Sequence, residues 1–269
     1  MGVLLNLTEE YFGETERIEE KLPMLDTLPE GVEIHDFTDM NGKRHKNGYY
    51  IDENDSKKAR TILQNLIEKV VNIRGFECDL NDIDVSNLKD ISYAFGYIND
   101  NEFNADVSGW DTSNVENMEG CFYISKKFDG DLSKWNVSKV TNMRNMFYGC
   151  SSFKGKGLEK WNINTDDDIS INMVQMFGHC LDFNADISEW DVSRVTNMTA
   201  MFLCCSKFNK DLSKWKVSNV NNMASMFEGC TLFNCDLSGW DVKNVENYSN
   251  FHLNSGISKK SFFPRFTSI

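Results

Sequence analysis

The chain has 269 residues, 41% of them hydrophobic, with 41 acidic against 28 basic side chains and a formal net charge of −13. That excess of negative charge repels a phosphate backbone or an anionic membrane surface, and no apolar run reaches the ~20 residues a membrane span needs. All six Trp and all eight Cys fall after residue 75, an uneven use of rare residues that points to internal repeats.

Residues 1–55 do not repeat and are read as an N-terminal extension. Its first twenty residues, MGVLLNLTEEYFGETERIEE, are Glu-rich, with no basic start and no small-residue cleavage site, so they do not read as a secretory signal. Gly2 does not fit myristoylation, because Asn6 stands where that motif wants Ser or Thr. This stretch is expected to be a helix or an arm that orders on a partner. Val32–Phe37 and Tyr49–Asp52 read as two strands of a β-hairpin around Asn41-Gly42 and Asn47-Gly48. Residues 56–77 follow as an amphipathic capping helix. Ala59, Ile62, Leu63, Leu66, Ile67, Val70 and Ile73 share one helical stripe, and Asp55 or Ser56 supplies the N-cap.

Residues 78–252 form the repeat region. Trp110, Trp135, Trp161, Trp190, Trp215 and Trp240 recur at steps of about 25 residues, widened after Trp161 by the stretch Thr165-Asp166-Asp167-Asp168. An earlier unit is centred on Ile83. Within Phe128–Ser152, Leu132, Trp135 and Val137 have the L-x-x-W-x-V spacing of a leucine-rich-repeat strand, which turns Lys134 and Asn136 outward. Val140, Met143, Met146 and Phe147 then fall at three- and four-residue steps, which predicts a short helix or 3₁₀ turn. The expected fold class is therefore an α/β solenoid, a leucine-rich-repeat-like right-handed coil of about seven repeats closed by the N-terminal helix. Asn117, Asn142, Asn172, Asn197, Asn222 and Asn247 should form an amide ladder that satisfies backbone groups and one another. Asp106, Asp131, Asp186, Asp211 and Asp236 are placed to close Asx turns, and one Asp per unit is too few for a calcium ladder.

Cys150, Cys180, Cys205 and Cys230 hold one place in successive repeats, as small buried hydrophobes do. No C-x-x-C pair suggests zinc. His179 beside Cys180 is the nearest approach to a nucleophile and base, but adjacent residues rarely face each other. No phosphate loop or catalytic-serine signature occurs. The acidic run Asp166–Asp168 and the Lys154–Gly157 irregularity read as loops, with weak cation binding as the alternative for the former. Residues 253–269 form an aromatic tail. Phe262, Phe263 and Phe266 stand beside Lys259, Lys260 and Arg265, either folded back over the last unit or offered to a partner.

The outward positions beside each Trp remain as the candidate site: Lys134 and Asn136, Lys160 and Asn162, Glu189 and Asp191, Lys214 and Lys216. They make a mixed-charge row about 30 Å long at ~4.8 Å per strand, long enough for a protein or another extended ligand. Neither a metal nor a cofactor is expected.

The strings DLNDIDVSNLKDISYAF, DLSKWNVSKVTNMRNMFYGCSSF and DISEWDVSRVTNMTAMF resemble the BspA-like leucine-rich repeats, also described as Mycoplasma lipoprotein-associated or bacterial surface 25/26-residue repeats. The resemblance covers about residues 57–252 and implies a non-enzymatic, adhesin-like module that binds protein partners. It implies neither nucleic-acid binding nor membrane insertion. Surface members carry an export signal or anchor, so cytoplasm or a large assembly is favoured here over classical secretion. The alternative role is an architectural component of an assembly such as a virion, docked through its N-terminal extension and tail.

Overall fold

The computed structural model describes residues 24–96, 98, 102–163 and 169–266. Strands β1 (Val32–Thr38) and β2 (Arg44–Ile51) pair antiparallel, and helix α1 (Ser56–Arg74) follows. The hairpin turns where Asn41-Gly42 predicts, with the Asp39 carboxylate accepting from the N–H groups of Asn41 and Lys43. Asn47-Gly48 lies inside β2 instead. A Cβ on Gly48 would meet the Phe37 ring at 2.3 Å and the Asp82 carbonyl at 3.0 Å, so glycine serves close approach there, not a second turn.

The Asp55 side chain caps α1 by accepting from the N–H groups of Lys57 and Lys58, and Gly75 ends the helix. Ala59, Leu63, Leu66, Ile67, Val70 and Val71 are buried, whereas Ile73 is 51% exposed. The stripe thus turns off the core one step before its expected end. β2 also pairs in parallel with β3 (Ile83–Asp84), which joins the hairpin to the first repeat. Beneath that junction Arg74 grips Asp82 with two bonds of 2.8 and 2.7 Å, and both side chains are buried. The paired geometry satisfies charges that would be costly alone.

The α/β leucine-rich-repeat-like right-handed coil of about seven repeats is not the observed architecture. Among the described residues the only α-helix is α1, outside the 25-residue units. Within the units the regular elements are β3, β4 (Ile171–Asn172), β5 (Val195–Asn197) and a three-residue 3₁₀ turn at Leu158–Lys160. The remainder is tight turns and irregular backbone, to which a seven-fold strand-and-helix coil fits weakly. The reason lies in the spacing. In the unit around Trp135, the N–H groups of Trp135, Val140, Met146, Cys150 and Phe153 each donate to the carbonyl three residues earlier, at 3.0–3.2 Å. Apolar residues at three-residue steps therefore close separate β-turns. Asn145, Gln175, Ala200, Ser225 and Asn250, at φ of 53–56°, hold one left-handed position of successive units, and no α-helix can pass through such a residue.

Neighbouring units are nevertheless bonded in register. The N–H groups of Met143, Asn145, Phe147 and Gly149 donate to the carbonyls of Asn172, Val174, Met176 and Gly178 at 2.7–3.0 Å. Parallel bridges run Asp90–Asn117–Asn142–Asn172, and again Asn197–Asn222–Asn247, with β4 and β5 joining Asn172 to Asn197. The segment expected to be helical thus carries the backbone pairing, and the expected L-x-x-W-x-V strand is a pair of turns. The Asn side chains cap locally: Asn142 Oδ1 accepts from the N–H of Arg144 and Asn222 Oδ1 from that of Ala224.

The core is a set of ring columns. Phe122, Phe147, Phe177, Phe202 and Phe227 stack with centroids 5.5–5.7 Å apart. Each indole N–H reaches back to a carbonyl of the preceding unit, as Trp190 does to Leu158 at 2.9 Å. The Asx turns occur as spaced: Asp131 and Asp211 accept from the N–H groups of Ser133 and Ser213 at 2.9 Å.

Candidate functional site

The Trp side chains point inward and their sequence neighbours outward. Trp135, Trp161, Trp190 and Trp215 are 3–5% exposed, while Lys134, Asn136, Lys160, Asn162, Glu189, Asp191, Lys214 and Lys216 are all exposed. The L-x-x-W turn produces this alternation without a strand, because the residues at its tip have no core to enter. Lys214 Nζ lies 3.0 Å from Glu189 of the preceding unit, with both side chains about three-quarters exposed. That contact raises the Lys214 pKa, and in open solvent such a pair contributes little to stability. Lys134 Nζ donates to the Met40 carbonyl at 3.1 Å, so this end of the row touches the hairpin turn. Asn136 is tied to the preceding unit by its N–H, which donates to Thr112 Oγ1 at 2.8 Å. Asp191 accepts from the N–H of Ser193, and its pKa is lowered by the Ser193 hydroxyl and backbone, with Lys216 adding to the effect.

His179 and Cys180 are not brought together as base and nucleophile. The Cys180 thiol is fully buried and donates to the Phe147 carbonyl at 2.9 Å, and burial raises its pKa well above the ordinary thiol value. His179 sits in the left-handed region, with its ring edge-on to Tyr148 at 5.2 Å. Cys150, Cys205 and Cys230 repeat the Cys180 bond to Phe122, Phe177 and Phe202. All eight cysteines are free thiols. Among the described residues no three or more His, Cys, Asp or Glu side chains converge as a metal site. The Asp166–Asp168 run lies outside the described residues.

The aromatic tail packs on the last unit. Phe262, Phe263 and Phe266 are half-buried against the core. Phe266 stacks on Tyr248 at 4.3 Å and Phe263 on His252 at 4.1 Å.

A second surface feature was not anticipated from the repeat pattern. Tyr93, Tyr123, Tyr148 and His179 form a half-buried ring column, with centroids 6.0, 5.4 and 5.2 Å apart. Glycines make room for it: a Cβ on Gly120 would lie 2.3 Å from the Tyr93 ring, and one on Gly178 2.9 Å from Tyr148. The available signal was the aromatic after the repeat Phe, in Phe122-Tyr123 and Phe147-Tyr148. Those tyrosines fall outside the shared positions of the motif, so a search for fixed letters passes over them.

A sequence family described as "Mycoplasma protein of unknown function, DUF285" matches residues 63–171 and 167–261, two adjacent stretches that together take in most of the chain. The chain belongs to the DUF285 family. Its first DUF285 stretch begins inside α1, so the capping helix is partly within the family pattern, and the two stretches meet at β4. The second ends in the tail at residue 261. No curated protein matches the chain, and no solved structure does. Among the described residues no helix is long and apolar enough to cross a membrane.

Proposed function

We propose that this DUF285 chain is a non-enzymatic protein-binding scaffold of the BspA-like, adhesin-related kind, and that the exposed row beside the buried Trp residues contacts the partner. One observation carries the reading. Eight polar or charged side chains, from Lys134 to Lys216, stay exposed on successive units whose Trp, Phe and Met residues, with Cys150, Cys180 and Cys205, are committed to the interior. A backbone tied by bonds between units holds the spacing of these side chains and loses little freedom when a partner binds, which favours affinity. The net charge of −13 favours a protein over a nucleic acid. The buried, hydrogen-bonded state of Cys180 supports a non-catalytic role for the His179–Cys180 pair.

The architectural alternative docks through the N-terminal extension, of which residues 1–23 lie outside the described residues, and through the tail. It requires Phe262, Phe263 and Phe266 to leave the last unit, whereas the charged row is available as it stands. The test is to replace Lys134, Lys160, Lys214 and Lys216 together by Glu and measure binding to the partner identified by crosslinking in the native setting. Loss of binding with an unchanged melting transition is the expected result. Binding at wild-type strength would remove the row from the interface.

A further inference from the structure

The bonding between units stops abruptly at the last one. The N–H groups of Met223, Ser225, Phe227 and Gly229 donate to the carbonyls of Asn247, Ser249, Phe251 and Leu253, all at 2.8 Å. In the last unit the equivalent donors are the N–H groups of Tyr248, Asn250, His252 and Asn254, and these have no acceptor among the described residues. The tail completes only the other half of the missing neighbour. The N–H of Gly256 donates to the Cys230 carbonyl, and the Phe262 carbonyl accepts from the N–H of Leu237. Along residues 248–254 a groove of about 420 Å³ remains, lined by Tyr248, Phe251, His252, Leu253, Phe263 and Phe266.

The opposite end is closed. Gln64 of α1 donates to the carbonyls of Ser92 and Tyr93, and Arg60 approaches Asp90 at 3.8 Å. A second copy therefore cannot stack its first unit on this edge as a continuation of the array. The charge beside the groove is also specific. Arg265 is exposed and has no ion-pair partner among the described residues, although the chain as a whole is strongly acidic, whereas Lys259 Nζ stands over the Phe262 ring at 4.9 Å. Arg265 precedes Phe266, whose ring stacks on Tyr248, so positive charge stands where a parallel segment would enter.

We propose that this edge binds an extended segment of a partner protein, running parallel to residues 248–254. Its carbonyls at alternate positions accept the four N–H groups that have no acceptor among the described residues, and acidic residues ahead of the pairing stretch face Arg265. Backbone pairing supplies affinity and the apolar groove supplies selection, as when a strand is added to a sheet edge. This site is distinct from the Trp-flanking row.

The test uses the full chain and a synthetic peptide with three glutamates ahead of a copy of residues 219–230, the segment whose carbonyls already accept this pattern from the preceding unit. Saturable binding should slow amide exchange at Tyr248, Asn250, His252 and Asn254 by at least about tenfold, because those groups pass from solvent into a ladder. Arg265→Glu, at an exposed position, should weaken the peptide by about tenfold at low salt, and omitting the glutamates should do the same. Lys134→Glu with Lys214→Glu should leave peptide binding unchanged, so failure here is separate from failure of the row. The proposal is overturned if saturating peptide leaves those amides unprotected. It is equally overturned if they are already slow in the free protein and become fast on deletion of residues 267–269. Protection that appears only with self-association would assign the edge to a second copy and also overturn it.

Discussion

Replacing Trp190 by Phe removes one atom group whose partner is known. The indole N–H donates to the Leu158 carbonyl at 2.9 Å across two units, in a site where Trp190 is 5% exposed. Phe removes that donor, although the Leu158 carbonyl keeps the Trp161 N–H at 3.1 Å, so the lost bond costs about 0.5–1.5 kcal/mol. The smaller ring also gives up volume and part of the stack on Trp161, whose centroid lies 6.1 Å away, adding about 1 kcal/mol. The expected loss is therefore about 1.5–2.5 kcal/mol, a sizeable share of the roughly 5–15 kcal/mol that stabilises a domain. Urea unfolding followed by circular dichroism measures it as a shift in midpoint at constant slope. A mutant within about 0.5 kcal/mol of wild type would refute the reasoning, because surface-like substitutions fall in that range.

Gly120 has φ +57° and no room for a Cβ beside Tyr93, so Gly120→Ala should lower the melting temperature, by an amount corresponding to about 1–3 kcal/mol. Ala200 occupies the same left-handed position at φ 53°, and Ala200→Gly should leave stability unchanged or raise it by up to about 1 kcal/mol in the same melt. Thiol labelling in native buffer should modify Cys204 first, since it is partly exposed, with its pKa raised by burial and Glu228. Cys78 and Cys235, pushed up to about 11 chiefly by burial, should follow, and Cys121, Cys150, Cys180 and Cys205 should react only on unfolding. Burial pushes the Asp131 carboxyl up, but the Ser133 N–H and hydroxyl and the Lys156 ammonium outweigh it and hold the pKa at about 2, below its ordinary 3.8. The stabilisation this gives is complete above pH 3.8 and is lost as the pH falls toward 2. Asp131→Asn should therefore flatten that part of an acid-denaturation curve, and an unchanged curve would exclude the contribution.

Much of the molecule was legible because the repeat letters report burial directly. The Trp, Phe, Met and Cys positions are interior, and the Asp positions close turns as their spacing indicates. The N-cap at Asp55 and the hairpin turn at Asn41-Gly42 were readable for the same local reason. Secondary structure within the units was not. Three-residue apolar spacing is shared by helices and by runs of β-turns, and only the sign of φ at residues such as Asn145, Gln175 and Ser225 separates them. Gly120, Asn145 and Asn250 are residues that accept this turn, but Gln175, Ala200 and Ser225 hold the same position, so the letters do not mark it consistently. The exposure of the Trp-flanking side chains was legible because alternation of inward and outward side chains survives the change from strand to turn. The tyrosine column and the open edge at residues 248–254 were missed, since both depend on which neighbour stands beside a residue and not on the motif itself.

The most direct test of the proposed role is site-specific photo-crosslinking in the native setting. A photoreactive side chain would be placed in turn at Asn136, Asn162, Asp191 and Lys216, and at Lys207 in the Cys205–Phe208 turn as a comparison position. The four row positions should capture one and the same protein while Lys207 does not. Equal capture at every position, or capture at Lys207 alone, would contradict the proposed role.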